Sequence, residues 1–233
     1  MKRSCIGEFL SSLDDWDILI AQEFGNFPAD VGAPRLILGT KAVRGQRTRA
    51  IVIHHRLVEF VDRDSFTTLG RHCSVKLRFG AEAVTVMSSH LDASGSKDLY
   101  RESIDDLQTL VTKELEGDLV IGIDGQTQIG PCEDFDNPAV VGPYAEHGRD
   151  RDFKGEELVR FATENSLFFA NTFREDQEGT FTCDYDLKFP ARQIDYILVG
   201  QRAMGNGWKC GIADYSDIND SDHRCLRLVL PIH

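Results

Sequence analysis

Gln193-Ile194-Asp195-Tyr196-Ile197-Leu198-Val199 is a strand by composition, and it carries one residue that a buried strand should not have. Strand side chains alternate, so Asp195 lies on the face opposite Ile194 and Tyr196. A carboxylate in such an apolar run is expensive to bury unless it is paired or binds a cation. Further along, Ser221-Asp222-His223 precedes another apolar run, Leu226 to Leu230. It sets an acceptor-only carboxylate beside an imidazole that can give or take a proton. Alone, the tripeptide is equally well explained as a turn with a capping aspartate. Joined to the Asp195 strand it is a much stronger signal.

The rest of the chain alternates short strands with amphipathic helices. Ile18-Leu19-Ile20-Ala21 suits a buried strand and puts Gln22 and Glu23 at its end. Leu36 to Leu38, Ala50 to His54, the alternating Val75 to Phe79, and Ala83 to Met87 predict a meander of mostly antiparallel strands. Leu119 to Asp124 is a strand with an acidic residue at its carboxyl end, and Leu167 to Ala170 is another. One helical face is marked by Phe9, Leu10, Leu13 and Trp16, and a second by Tyr100, Ile104, Leu107, Val111 and Leu115. A third helix runs through Leu158, Phe161 and Ala162, with Glu156 and Glu157 in its first turn where the dipole favours them. Residues 125–150 are rich in Gly, Pro, Asp and Asn and read as a long functional loop. Strands outnumber helices. The expected fold class is therefore α/β: two packed, mixed but mostly antiparallel β-sheets with helices on the outer faces, a four-layer α/β sandwich.

The 233 residues fit a single domain, 1-233, that can bury a core without disulfides or structural metals. With 41% hydrophobic and 27% charged residues the composition is that of a folded soluble protein, which excludes global disorder. No apolar run is long enough for a membrane helix, and MKRSCIGEFL lacks a secretory core and cleavage site. An intracellular protein, nuclear or cytoplasmic, is expected, neither secreted nor membrane-bound. Cys5, Cys73, Cys132, Cys183, Cys210 and Cys225 are dispersed without zinc spacing and read as reduced thiols. The net charge of −12 argues against a protein that coats nucleic acid, but not against a nuclease that uses cations at its centre. Between Asp30 and Glu59 there is no acidic residue, whereas Arg35, Lys41, Arg44, Arg47, Arg49 and Arg56 all fall there. This stretch is either a solvated loop and strand edge or a polyanion contact surface.

With DILIAQE at 17–23, SSHLDAS at 88–94, LVIGIDGQ at 119–126, RQIDYIL at 192–198 and SDHR at 221–224, in that order, the chain resembles the endonuclease/exonuclease/phosphatase superfamily. Its members include apurinic endonucleases, pancreatic-type deoxyribonuclease, deadenylases and retrotransposon endonucleases. The segment GPYAEHGRDRDFKGEELVRFATENSLFFANTF, residues 142–173, is most similar to retrotransposon-type endonucleases and their domesticated cellular relatives. The resemblance implies a metal-dependent phosphodiester hydrolase using Mg²⁺ or Mn²⁺, with Glu23 as a metal ligand and Asp222 as a further carboxylate near the metal. It implies that Asp124 orients or deprotonates the attacking water, and that Asp195 fixes the tautomer of His223, whose imidazolium stabilises the phosphoryl oxygens. His90 falls where one branch uses a histidine as general acid to the leaving oxygen, the alternative being a strand-end histidine bonded to backbone. Gln126 and Asn171 are candidates for positioning the phosphate, Asn171 also for satisfying backbone at a strand end. Lys41, Arg44, Arg47 and Arg49 are candidate nucleic-acid contacts, with DNA the favoured substrate.

Two departures from the family pattern bear on activity. The family usually shows Gly-Asp-x-Asn where this chain has Ile123-Asp124-Gly125-Gln126, so the amide is kept on a longer stem. The family also begins with a strand bearing an asparagine that helps hold the metal, whereas only MKRSCIGEF precedes the first helix here, so that strand is expected to be missing. Three functions stay open: a DNA endonuclease, a phosphodiesterase or phosphatase acting on small or single-stranded phosphate esters, and a catalytically impaired interaction domain of the same fold.

Overall fold

The computed structural model describes residues 17–24, 35–39, 48–113, 117–131, 137–145, 151–173, 182–183, 192–200, 208–212, 223 and 226–229. Its largest sheet begins as an antiparallel meander of β4 (Val61–Leu69), β5 (His72–Phe79) and β6 (Glu82–His90). Helix α1 (Lys97–Lys113) then crosses over, and β7 (Asp118–Asp124) lies parallel to β6. Helix α2 (Phe153–Glu164) leads into β8 (Leu167–Phe169), and β9 (Asp195–Gly200) inserts between β7 and β8, antiparallel to both. Two smaller antiparallel units complete the sheets. One is β1 (Ile18–Phe24), β3 (Thr48–His54) and β2 (Arg35–Gly39); the other is β10 (Lys209–Ile212) with β11 (Leu226–Val229).

Side-chain alternation divides the core into two layers. Met87, Ile121, Ile123, Tyr196 and Leu198 pack toward Ile104, Leu107 and Leu110 of α1 and Leu158 and Phe161 of α2. The opposite faces of the same strands meet the smaller sheets: Val86 packs with Ile51 and Ile53 of β3, and Val120, Ile197 and Val199 with Cys210, Leu226 and Leu228. The sandwich of mixed, mostly antiparallel sheets is thus as the sequence leads one to expect. The helix marked by Phe9, Leu10, Leu13 and Trp16 lies outside the described residues.

Three details differ from the sequence reading. Strands β4 and β10 were not expected, because Asp62, Arg63 and Asp64 interrupt one and the other is short. The 125–150 loop is in part core, since Ile129, Val140, Val141 and Ala145 are all buried against the helices. Of the two glutamates expected in the first turn of α2, Glu156 lies there, whereas Glu157 is buried, held by Arg101 of α1 and by Arg160. The N-terminus of α2 is capped instead by Asp152, which accepts from the Gly155 amide. Among the described residues no helix is long and apolar enough to cross a membrane.

One glycine sets the distance between the sheets beside the strand ends that matter below. A Cβ on Gly122 would lie 2.8 Å from Ile20 Cγ2 of β1, closer than carbon atoms pack. Gly122→Ala is therefore expected to push β1 away from β7 and destabilise the protein by about 1–3 kcal/mol. Urea unfolding checks this, and an unchanged midpoint would mean that Ile20 moves aside without cost.

Candidate active site

Strand register alone assembles most of the site. His90 at the end of β6 is opposite Asp124 at the end of β7, and Asp124 is opposite Asp195 at the start of β9. Their parity matches Val86, Val120 and Ile197 respectively, so all three side chains lie on the face turned toward the smaller sheets. His223 is added by backbone bridging: Cys183 pairs with both Arg192 and His223. Its Nδ1 lies 2.9 Å from Asp195 Oδ2 and 3.1 Å from Oδ1, so a proton on Nδ1 is donated to the carboxylate. His90 Nε2 lies 3.5 Å from Asp124 Oδ2.

Asp124 is the electrostatic centre of this row. It is only 2% exposed, and burial followed by the Asp195 carboxylate raises its pKa above the ordinary value. His90, His223 and the amide of Gln126 pull it back down. Like charges at directly opposed positions of two strands repel, and a buried pair of carboxylates needs a positive partner. Ligand atoms of Asp124, Asp195 and His223 lie within 4.8 Å of one another, so this group can hold a metal ion, and carboxylate oxygens suit a hard divalent cation.

No family model matches the chain, and no curated protein matches it by sequence. Solved structures do match. The endonuclease domain of TRAS1, a telomere-specific non-LTR retrotransposon, superposes with a TM-score of 0.62 at 15% identity, over 99% of this chain and 93% of that one. An AP endonuclease from Archaeoglobus fulgidus gives 0.67 at 15% identity, over 97% and 93%. A mannosyl-6-phosphatase from Bacteroides thetaiotaomicron gives 0.65 at 14% identity, over 98% and 90%. The chain has the endonuclease/exonuclease/phosphatase fold.

On this endonuclease/exonuclease/phosphatase fold the sequence candidates fall into three groups. His90, Asp124, Asp195, His223 and Gln126 come together. The backbone of Glu23 lies in β1, whose neighbouring Gln22 donates from Nε2 to the Gly122 carbonyl at 3.0 Å, directly beside β7. The Glu23 side chain, Asp222, Lys41, Arg44 and Arg47 lie outside the described residues.

The surroundings of two further candidates, Asn171 and Arg49, decide between their readings. Asn171 is buried with both ends of its amide on β9: Nδ2 donates to the Asp195 carbonyl and Oδ1 accepts from the Ile197 amide, each at 3.1 Å. It is a brace for the Asp195 strand rather than a phosphate contact, because burial leaves backbone groups as the partners within its reach. Arg49 is 5% exposed and donates toward the Gly70 carbonyl, so it faces the interior and not a nucleic-acid surface. Its place in a basic stretch hid the fact that it lies on β3 beside Gly70, Arg71 and Cys73.

Gln126 departs from simple expectation in its backbone as well as its stem. Its φ is 54°, in the left-handed region that asparagine tolerates better than glutamine. From there its Nε2 donates to both oxygens of Asp124, at 2.7 and 2.8 Å. The loop beneath it is anchored by two buried tyrosines that sequence reading took only as core. Tyr100 donates to the Gly125 carbonyl, while the Tyr196 hydroxyl accepts from the Ile129 amide and shares its one proton between the Gln193 carbonyl at 2.6 Å and the Thr127 carbonyl at 3.1 Å. No local pattern reveals such braces, because their partners are far apart in the chain.

Proposed function

We propose that this protein is a metal-dependent phosphodiester hydrolase that acts on DNA as an endonuclease. The observation that carries the reading is the single row of His90, Asp124 and the Asp195–His223 pair on one face of adjoining strands. In that row Asp124 takes a proton from the attacking water as its oxygen bonds to phosphorus. The leaving oxygen departs with the bonding pair and receives a proton from His90. Asp195 holds the His223 ring with its Nδ1 proton inward, and the imidazolium faces the charge that builds on the phosphoryl oxygens. Carboxylates of this group, joined by Glu23 and Asp222, would hold Mg²⁺ or Mn²⁺, which when bound polarises the phosphate and stabilises the leaving oxygen.

DNA as substrate is favoured by the likeness to the TRAS1 endonuclease domain, by the 142–173 segment, and by Lys41, Arg44 and Arg47 in a stretch free of acidic residues. A phosphatase or a phosphodiesterase of small or single-stranded esters is favoured by the net charge of −12 and the likeness to a sugar phosphatase. Incubation with supercoiled plasmid, abasic duplex, single-stranded oligonucleotide and small phosphate esters, with Mg²⁺, Mn²⁺ or EDTA, separates them. Nicking of plasmid or duplex that EDTA abolishes supports the endonuclease. Turnover of small esters alone would replace it with the second reading, and inertness toward all four would leave the fold without its hydrolysis.

Gln126 makes a further expectation specific to this chain. A shorter stem draws the amide away from Asp124 and suits the positive φ, so Gln126→Asn is expected to raise kcat/KM by about 10-fold, the scale on which sub-ångström placement acts. Steady-state kinetics on the substrate identified above test this. A fall in kcat/KM would show that the glutamine amide is itself part of the working geometry.

A further inference from the structure

We propose that Thr182 is a positioning residue that fixes the Asp195–His223 pair through the backbone, without touching the reacting atoms. The inference rests on the reading that this pair serves hydrolysis. Thr182 is fully buried, and its Oγ1 accepts from two successive amides, Ile194 N at 3.0 Å and Asp195 N at 2.9 Å. A hydroxyl oxygen has two lone pairs, so both are committed to the residue that carries the carboxylate and its predecessor. The same short segment also holds the other partner. Cys183 exchanges backbone hydrogen bonds with Arg192, three positions before Asp195, and forms an antiparallel bridge with His223.

One two-residue piece of chain therefore touches both halves of the pair. Asn171 completes the clamp by donating to the Asp195 carbonyl. Asp195 sits at the first position of β9, where ladder pairing to β7 has only begun, and a strand end without side-chain anchors frays. The Thr182 hydroxyl replaces the missing ladder bonds. It keeps the carboxylate at 2.9 Å from His223 Nδ1, so that the proton stays on that nitrogen and the outer nitrogen faces the substrate.

Thr182→Val keeps the shape and removes the acceptor, leaving two buried amides unmatched, whereas Thr182→Ser keeps the acceptor. The comparison uses the whole chain and two readouts: the His223 ring nitrogens by long-range ¹H–¹⁵N correlation, and kcat and KM on the cleaved substrate. In Thr182→Val, measured where the ring carries a single proton, the Nδ1-protonated form of His223 should give way to a tautomeric mixture, and kcat should fall by about 100-fold with KM nearly constant, as for a small misplacement of catalytic groups. Thr182→Ser should restore both. If the valine variant does not fold, Thr182→Ala, which introduces no new bulk, takes its place. A wild-type tautomer and kcat in the valine or alanine protein would overturn the proposal, as would a serine protein as impaired as they are. Should the wild type cleave nothing, the tautomer comparison still decides the clamp, and it is the hydrolase reading that falls.

Discussion

His223→Ala is expected to lower cleavage by about 10²–10³-fold in kcat, the loss seen when one preorganised donor to developing charge is removed. KM should change little, because the imidazolium meets charge that is larger in the transition state than in the bound ester. The side chain is 27% exposed and pairs with Asp195 at the edge of the site, so its removal should not unfold the domain. Asp195→Asn should be nearly as damaging with His223 still present. An amide in place of the carboxylate can offer a donor to Nδ1 and turn the ring to the wrong tautomer, and it removes the charge that stabilises the imidazolium. The double variant should then be little worse than either single one, since residues that act as a unit are not additive. Steady-state kinetics on the three proteins test the unit directly. Full kcat in His223→Ala would mean that the pair only ties the Cys183 bridge to β9.

The part of this site that could be read in the sequence is the part that strand geometry dictates. Asp124 and Asp195 each stand at one end of an apolar run, where a carboxylate is anomalous without knowledge of its neighbours, whereas His90 follows Ser88 and Ser89 and was marked only by the family resemblance. Alternation then assigns each to one face, and parallel or antiparallel register brings them side by side. Asp195 illustrates this best, since its conflict with Ile194 and Tyr196 was visible before any partner was known. What escaped is what depends on chain segments meeting from far apart. Thr182 gives no local sign that its oxygen will serve two amides, and Asn171, of which a backbone role at a strand end was expected, gives no sign of which strand it braces.

The fold divides along the same line. Buried strands such as β3 and β7 announce themselves by continuous apolar composition, and α1 by its three- and four-residue spacing. Strand β4 lies at the sheet's edge, where one side needs no partner and charge is tolerated, so its Asp62-Arg63-Asp64 concealed it. Arg49 erred in the opposite direction: its charge implied solvent, but its place on β3, packed toward β5, put it at 5% exposure. In both cases the sheet's layering overrides the preference of the side chain.

His72 is expected to make the domain acid-sensitive over a defined window. The residue is fully buried on β5, with Nδ1 2.8 Å from Ser89 Oγ and Nε2 2.8 Å from the Ser103 carbonyl of α1. A carbonyl can only accept, so Nε2 carries a proton, and the Ser89 hydroxyl can donate to Nδ1 of the neutral ring. Burial pushes its pKa from 6.5 down to about 3, the positive neighbours Arg49 and Arg71 adding to the effect and the Ser103 carbonyl opposing it. The unfolded chain takes up a proton at the ordinary value and the folded chain does not. Stability is therefore complete above pH 6.5 and is lost as pH falls toward about 3, with a slope of up to about 1.4 kcal/mol per pH unit for this one proton. His72→Gln should cost stability at neutral pH, because one of the two ring hydrogen bonds is lost. In acid the order should shift, since glutamine has no proton to gain and the variant's curve lacks this slope. Urea unfolding of both proteins at successive pH values measures the gap between them. A gap that narrows through the window identifies His72 as the titrating group, and parallel curves would move the acid sensitivity elsewhere.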